Sequence, residues 1–173
     1  ILEVFMIWEG GMSFHGGLLG VIIATHIFSK KNNVNPFLFL DLISMSAPIG
    51  IFLGRIANFI NSELYGRETN LFWSVKFEKI DSTFRHPSQI YEAIFEGIIL
   101  FILLNFIFKK QIYKSPGFIS AIFLIFYSTF RFFIEFTREP DTQVGYILFN
   151  LTLGQFLSFL FFIFGLFLFY KKK

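Results

Sequence analysis

Cysteine is absent from the 173 residues, which excludes disulfides, thiolate metal sites and a cysteine nucleophile. Charge is scarce too. Only 16% of the residues are Asp, Glu, Lys or Arg, against roughly a quarter in an ordinary soluble domain. The few charges are clumped, so there is no basic stripe to follow a nucleic-acid backbone. The formal charge of +3 suits anionic lipid headgroups better. No repeat of roughly 20–50 residues runs along the chain and the halves do not mirror each other, which argues against an inverted-repeat transporter. Residue 1 is Ile rather than Met, and Ile1 to Ile7 reads as the middle of a segment. A missing N-terminal part is therefore expected.

What the chain has in excess is apolar: 54% hydrophobic residues, 29 of them Phe. A bilayer hydrocarbon core about 30 Å thick needs roughly 20 apolar residues per helical span. Five spans are predicted, over 16–29, 36–61, 88–108, 117–136 and 147–170. The expected fold is all-α, a polytopic transmembrane helix bundle forming one domain over 1–173, with a loop region at about 62–87. Loop charge sets its orientation. Lys30–Asn35, Lys109–Pro116 and the Lys171–Lys173 tail hold eight lysines and no acid. Ser62–Pro87 and Thr137–Tyr146 hold five basic and six acidic residues. By the positive-inside rule the lysine side, C-terminus included, is cytoplasmic and the 62–87 loop faces outward.

An ionisable side chain at mid-membrane costs about 2.5–3.5 kcal/mol on insertion scales, so those near the spans are candidates for pairing or chemistry. Four clusters stand out. His15 lies in Gly10-Gly11-Met12-Ser13-Phe14-His15-Gly16-Gly17, where glycines permit tight turning and close ligand approach; either an acid–base group or a plain membrane-entry turn fits. Arg55 and Asn58 share a helix face near the outer end of the second span, followed by Asn61 and Glu63. Arginine's planar fork suits phosphate, although snorkelling or pairing with Glu63 would also place it there. Tyr127, Arg131 and Glu135 form one stripe at i, i+4 and i+8, with an Arg131–Glu135 ion pair as the structural alternative. Arg85-His86-Pro87-Ser88-Gln89-Ile90-Tyr91-Glu92, with Glu96 one turn on, opens the third span, and its acids suit arginines of other helices. All four clusters fall at the outer side. Asp41 is the exception and reads as an end-of-helix residue.

The segment Gly54-Arg55-Ile56-Ala57-Asn58-Phe59-Ile60-Asn61-Ser62-Glu63-Leu64-Tyr65-Gly66 closely resembles the signature of the bacterial prolipoprotein diacylglyceryl transferases. The Gly10–Gly17 segment, His86 to Glu92 and Phe130 to Asp141 resemble further blocks of that family, in its order. The resemblance implies an inner-membrane enzyme working at the periplasmic face. It would move the diacylglyceryl group of phosphatidylglycerol to a lipobox cysteine thiol of a preprolipoprotein, forming a thioether and releasing glycerol 1-phosphate. No metal or organic cofactor is implied, and the N-terminal spans of the family would be missing here. Charge grows on phosphate oxygens in such a reaction, so Arg55 and Arg131 are the expected stabilisers. His15 is the base candidate, with Glu135 or the arginines' field as alternatives. Asn58 and Tyr127 would orient the headgroup, with Gly66 among the headgroup-binding positions. Glu63, Glu135, His86 and Glu92 would support the arginines. A transporter of an anionic lipid or solute would use the same arginines, but it should carry polar residues through the inner halves of its spans, which here are nearly pure Phe, Ile and Leu.

Overall fold

A computed structural model describes residues 14–110, 115–140, 145–147 and 151–172, with backbone only for 14–16, 18 and 19. Helices α1 (Phe14–Asn32) and α2 (Pro36–Asn61) come first, and then a short antiparallel pair, β1 (Val75–Lys76) and β2 (Phe84–Arg85). One continuous span follows: α3 (Ser88–Glu92), a π-helical stretch Ala93–Ile99, and α4 (Leu100–Lys109). The chain closes with α5 (Phe118–Ile134), extended by a 3-10 turn to Thr137, and α6 (Leu153–Lys172).

Among the described residues, four helices are long and apolar enough to cross a membrane: Pro36–Asn61, Ser88–Lys109, Phe118–Thr137 and Leu153–Lys172. The sequence predicts five. Helix α1 forms as expected, but His15, His26, Lys30 and Lys31 dilute its apolar run. The last span also begins later than residue 147. Tyr146 and Thr152 pair as an antiparallel bridge, and Thr152 then caps α6. Its hydroxyl accepts from the Gln155 N–H at 3.2 Å while the Gln155 side chain accepts from the Thr152 N–H at 3.0 Å, the reciprocal capping box.

The other helix ends have local causes. Asn35 accepts from the Phe37 N–H at 3.0 Å, and Pro36 occupies the first turn of α2, where its missing N–H is harmless. Ser62 ends α2 in a left-handed conformation, φ 62. Asp41 does more than end its own helix. From α2 it caps α5, accepting from the Gly117 N–H (2.7 Å), the Ser120 N–H (2.8 Å) and the Ser120 hydroxyl (2.6 Å). A carboxylate at those unpaired N–H groups also complements the helix dipole. At the same end, Ser115 donates to the Lys172 carbonyl at 2.6 Å, and the Lys172 ammonium lies 3.8 Å from the centre of the Phe37 ring.

Leu100, Leu104, Phe118, Ile119 and Ile122 form the buried core between α4 and α5, flanked by Met45 and Phe169. Much of the remaining apolar surface is uncovered, including Ile60 (68%), Phe133 (64%), Leu53 and Leu42 (both 61%). Such patches would be costly in water and are ordinary against lipid tails. The chain is a multi-pass membrane protein. Its 62–87 segment is not a bare loop: Phe77 is buried against Phe59 and Tyr65, and the Val75–Arg85 register closes a small hairpin over that contact.

Candidate active site

The site is assembled where α2, the Ser88–Lys109 span and α5 meet at the end nearest the hairpin. Gly97 is what lets α2 come close. A Cβ there would stand 2.7 Å from the Phe52 Cβ, and Phe52 lies one turn before Arg55. With that approach, Arg55 Nε reaches Glu92 Oε2 at 2.8 Å. From α5, Arg131 Nη1 reaches the other Glu92 oxygen at 2.5 Å. One fully buried carboxylate thus holds arginines from two different helices.

Around this bridge the charges continue. Arg131 Nη2 pairs with Glu135 Oε2 at 2.7 Å, and Arg138 Nη1 lies 3.5 Å from Glu92 Oε1. Glu96, also fully buried, stays 3.8 Å from both Arg55 and Arg131. Its position one turn along from Glu92 falls inside the π-helical stretch, a local widening that is frequent at functional sites. Glu135 is fixed from behind by α6: Thr152 donates to Oε1 at 3.0 Å, and a Cβ on Gly154 would come within 2.7 Å of the same oxygen. The three arginines and three carboxylates balance formally. The arginine side chains of 55 and 131 nevertheless keep 18% and 13% exposure. Cationic donors are therefore open toward an anion, and their rotamers are fixed by buried acids.

The hairpin segment is welded to this cluster through its backbone. Ser88 donates to the Leu64 carbonyl at 3.1 Å and Gln89 to the Glu63 carbonyl at 2.6 Å. The Gly66 N–H donates to the His86 carbonyl at 3.1 Å, and the Arg67 N–H to that of Thr137 at 2.9 Å. Gly66 pairs with Arg138 as an isolated bridge; a Cβ there would stand 2.6 Å from the His86 Cβ and 2.7 Å from the Thr137 oxygen. Arg85 clamps the segment with Asp81 at 2.6 Å, Glu139 at 3.4 Å and Glu68 at 3.6 Å. The Arg85 hydrogen bond, helped by Thr83, holds the Asp81 carboxyl well below the usual carboxylate range. Burial lowers the His86 imidazole below its ordinary value.

A family model described as prolipoprotein diacylglyceryl transferase matches residues 1–171. The chain belongs to the prolipoprotein diacylglyceryl transferase family. It is 51% identical over 173 residues to a phosphatidylglycerol–prolipoprotein diacylglyceryl transferase of Rickettsia bellii (strain OSU 85-389), covering 99% of this chain and 66% of that protein. It is 52% identical over 168 residues to the protein so named in Ehrlichia ruminantium (strain Welgevonden), covering 95% and 65%. The corresponding Wolbachia pipientis wMel protein is 50% identical over 159 residues, covering 91% and 60%. The chain thus spans just under two-thirds of the length of these relatives.

Against this family background, the structure brings Arg55, Arg131, Glu135 and Glu92 into one cluster. Tyr127 is one turn from Arg131 and stacked on Phe123, ring centres 5.5 Å apart. Asn58 is half-buried on the Arg55 face, and its amide has no partner among the described residues. His86 is not in the cluster. Its Nδ1 lies 3.3 Å from the Tyr91 hydroxyl. The Glu63 side chain is exposed and forms no ion pair among the described residues, between the left-handed Ser62 and Leu64. Its carbonyl accepts from Gln89, and Glu92 is the acid that meets Arg55. The backbone at His15 lies in the first turn of α1, but its side chain falls outside the description, as do Gly10–Ser13 and Asp141. Glu96 meets the arginines of other helices, as its place one turn from Glu92 suggests, whereas nothing in the sequence reading singles out Arg138, Thr152 or Gln155. Arg138 follows Glu135 at i+3, continuing the Tyr127 stripe, and Thr152-x-x-Gln155 is a capping box; both were readable signals.

Proposed function

We propose that this chain carries the transfer site of an enzyme that moves the diacylglyceryl group of phosphatidylglycerol to the lipobox cysteine thiol of a preprolipoprotein. The thiol gives its proton to a base, and the sulfur attacks the glycerol carbon bearing the phosphate ester. The C–O bond breaks with its electron pair going to the phosphate oxygen. Glycerol 1-phosphate leaves, and the diacylglyceryl group remains on sulfur as a thioether. The observation that carries the reading is the pair Arg55 and Arg131, both oriented by the buried Glu92 and both still partly exposed. Their guanidinium groups suit the charge that builds on the leaving phosphate.

The other roles follow from position. Glu92 and Glu135 fix the guanidinium rotamers, Asn58 and Tyr127 orient the headgroup, and Gly66 keeps the adjoining backbone close enough for lipid. His15 is the proton acceptor in this scheme, since a free thiol has a pKa of about 8.5 and needs a base at neutral pH. The lysine-rich ends are assigned to the cytoplasm, which puts the site toward the periplasm in a bacterial inner membrane. The test supplies the complete protein with phosphatidylglycerol labelled in its diacylglyceryl part and with lipobox peptides carrying Cys or Ser. Label should pass to the Cys peptide alone. A folded protein that binds the lipid but transfers nothing would instead be a carrier of anionic lipid.

A further inference from the structure

Just before β1 the 62–87 segment carries an exposed apolar tip that the site above does not use. Phe72 is 93% exposed, Trp73 45% and Leu71 39%. Phe72 and Trp73 meet edge to face, ring centres 4.5 Å apart. Aromatic residues are favoured at the boundary between headgroups and acyl chains, and a paired, uncovered aromatic tip is unusual in open water. The height of the tip is set by one hydrogen bond: the Trp73 indole N–H donates to the Tyr91 hydroxyl at 2.6 Å. Tyr91 is in the first helical turn of the Ser88–Lys109 span, and helical side chains lean toward the N-terminus. Its hydroxyl therefore lies where that span enters the bilayer, and Trp73 is held at the same depth. Nearby, Ile80 and Phe84 are 42% and 50% exposed. The Lys76 ammonium sits 4.6 Å from the centre of the Phe84 ring. An ammonium on a long stem beside apolar groups can snorkel to lipid phosphates.

We propose that Leu71–Trp73 is an interfacial anchor, seated in the bilayer leaflet at the arginine–glutamate end, with the lipid surface as its partner. The anchor holds Tyr91, which lines an apolar groove with Phe95, Phe130 and Phe133. The inference is independent of the transfer reaction, and its test reads no turnover, so the two can fail separately. The complete protein, with Trp8 and any other tryptophan except Trp73 replaced by Phe, is reconstituted into phosphatidylcholine vesicles containing lipid brominated high on the acyl chain. Trp73 emission should fall by about twofold or more, as for an indole at the lipid boundary, and be shielded from aqueous iodide. Phe72→Ser should weaken the lipid quenching and raise the iodide quenching. The measurement on native Phe72 decides the matter even if that variant does not fold. Quenching by iodide with no response to brominated lipid would overturn the anchor. So would an indole that leaves water only when a lipobox peptide is added, because the tip would then be a peptide dock.

Discussion

Replacing Glu92 by Gln probes the feature on which the site depends. The carboxylate is fully buried, 2.5 Å from Arg131, 2.8 Å from Arg55 and 3.5 Å from Arg138. An amide of the same shape removes one negative charge and leaves three arginines facing Glu96 and Glu135. Breaking a buried pair costs about 3–5 kcal/mol. Glu135 still holds Arg131 at 2.7 Å, so the lower end of that range is expected. The damage should concentrate on Arg55, whose other acid is at 3.8 Å. A catalytic group misplaced by about 1 Å can cost about 100-fold in rate, so transfer should fall at least that far in Glu92→Gln. Glu92→Asp keeps the charge on a shorter stem and should fall between. Initial rates across lipid and peptide concentrations, with thermal unfolding of the purified protein, would separate kcat, KM and stability. A Glu92→Gln protein within about threefold of wild type in kcat/KM, with unchanged unfolding, would refute the bridging role.

Asp41→Ala should lower thermal stability, since losing a helix cap costs about 0.5–2 kcal/mol. Its capping contacts at Gly117 and Ser120 are at the opposite end from the arginines, so kcat per folded molecule should not change. Gly66→Ala should loosen the hairpin segment, because the added methyl meets backbone at 2.7 Å; faster proteolysis within 62–87 would show it. The Arg85–Asp81 clamp should depend on pH in one direction. The folded Asp81 pKa is depressed, so its contribution is present above the ordinary carboxylate pKa of about 3.9. It is lost as pH falls through the lower folded value. Protease resistance of the segment should therefore hold down to about pH 4 and decline below it, and Asp81→Asn should be weaker at neutral pH.

The helix bundle was legible because span length is set by bilayer thickness, and the runs over 36–61 and 88–108 match their helices within a residue or so. The fifth span expected from the sequence begins six residues before α6, because Ile147 and Leu148 continue the apolar run and hide the cap at Thr152. Loop charge alone puts the second, third and fourth motifs at a common end, where Arg55, Glu92, Arg131 and Glu135 meet. Which acid pairs with which arginine could not be read from it. Glu63 is eight residues from Arg55 in sequence, whereas Glu92 reaches it only because Gly97 admits α2 to close contact. Asp41 was hidden in the same way: its partners, Gly117 and Ser120, are on another helix. The small hairpin over Phe77 has too few residues for a period of two to register in the sequence.

The central claim is that two arginines, held by a shared buried acid, stabilise the phosphate leaving group while a thiol takes the diacylglycerol. The most direct test counts both products, thioether peptide and glycerol 1-phosphate, made by the complete protein and by Arg55→Ala and Arg131→Ala in vesicles of phosphatidylglycerol. Equal amounts of the two products from the wild type, with each variant folded and slowed mainly in kcat, is the predicted result. Variants that turn over at the wild-type rate, or glycerol 1-phosphate released without any thioether, would contradict it.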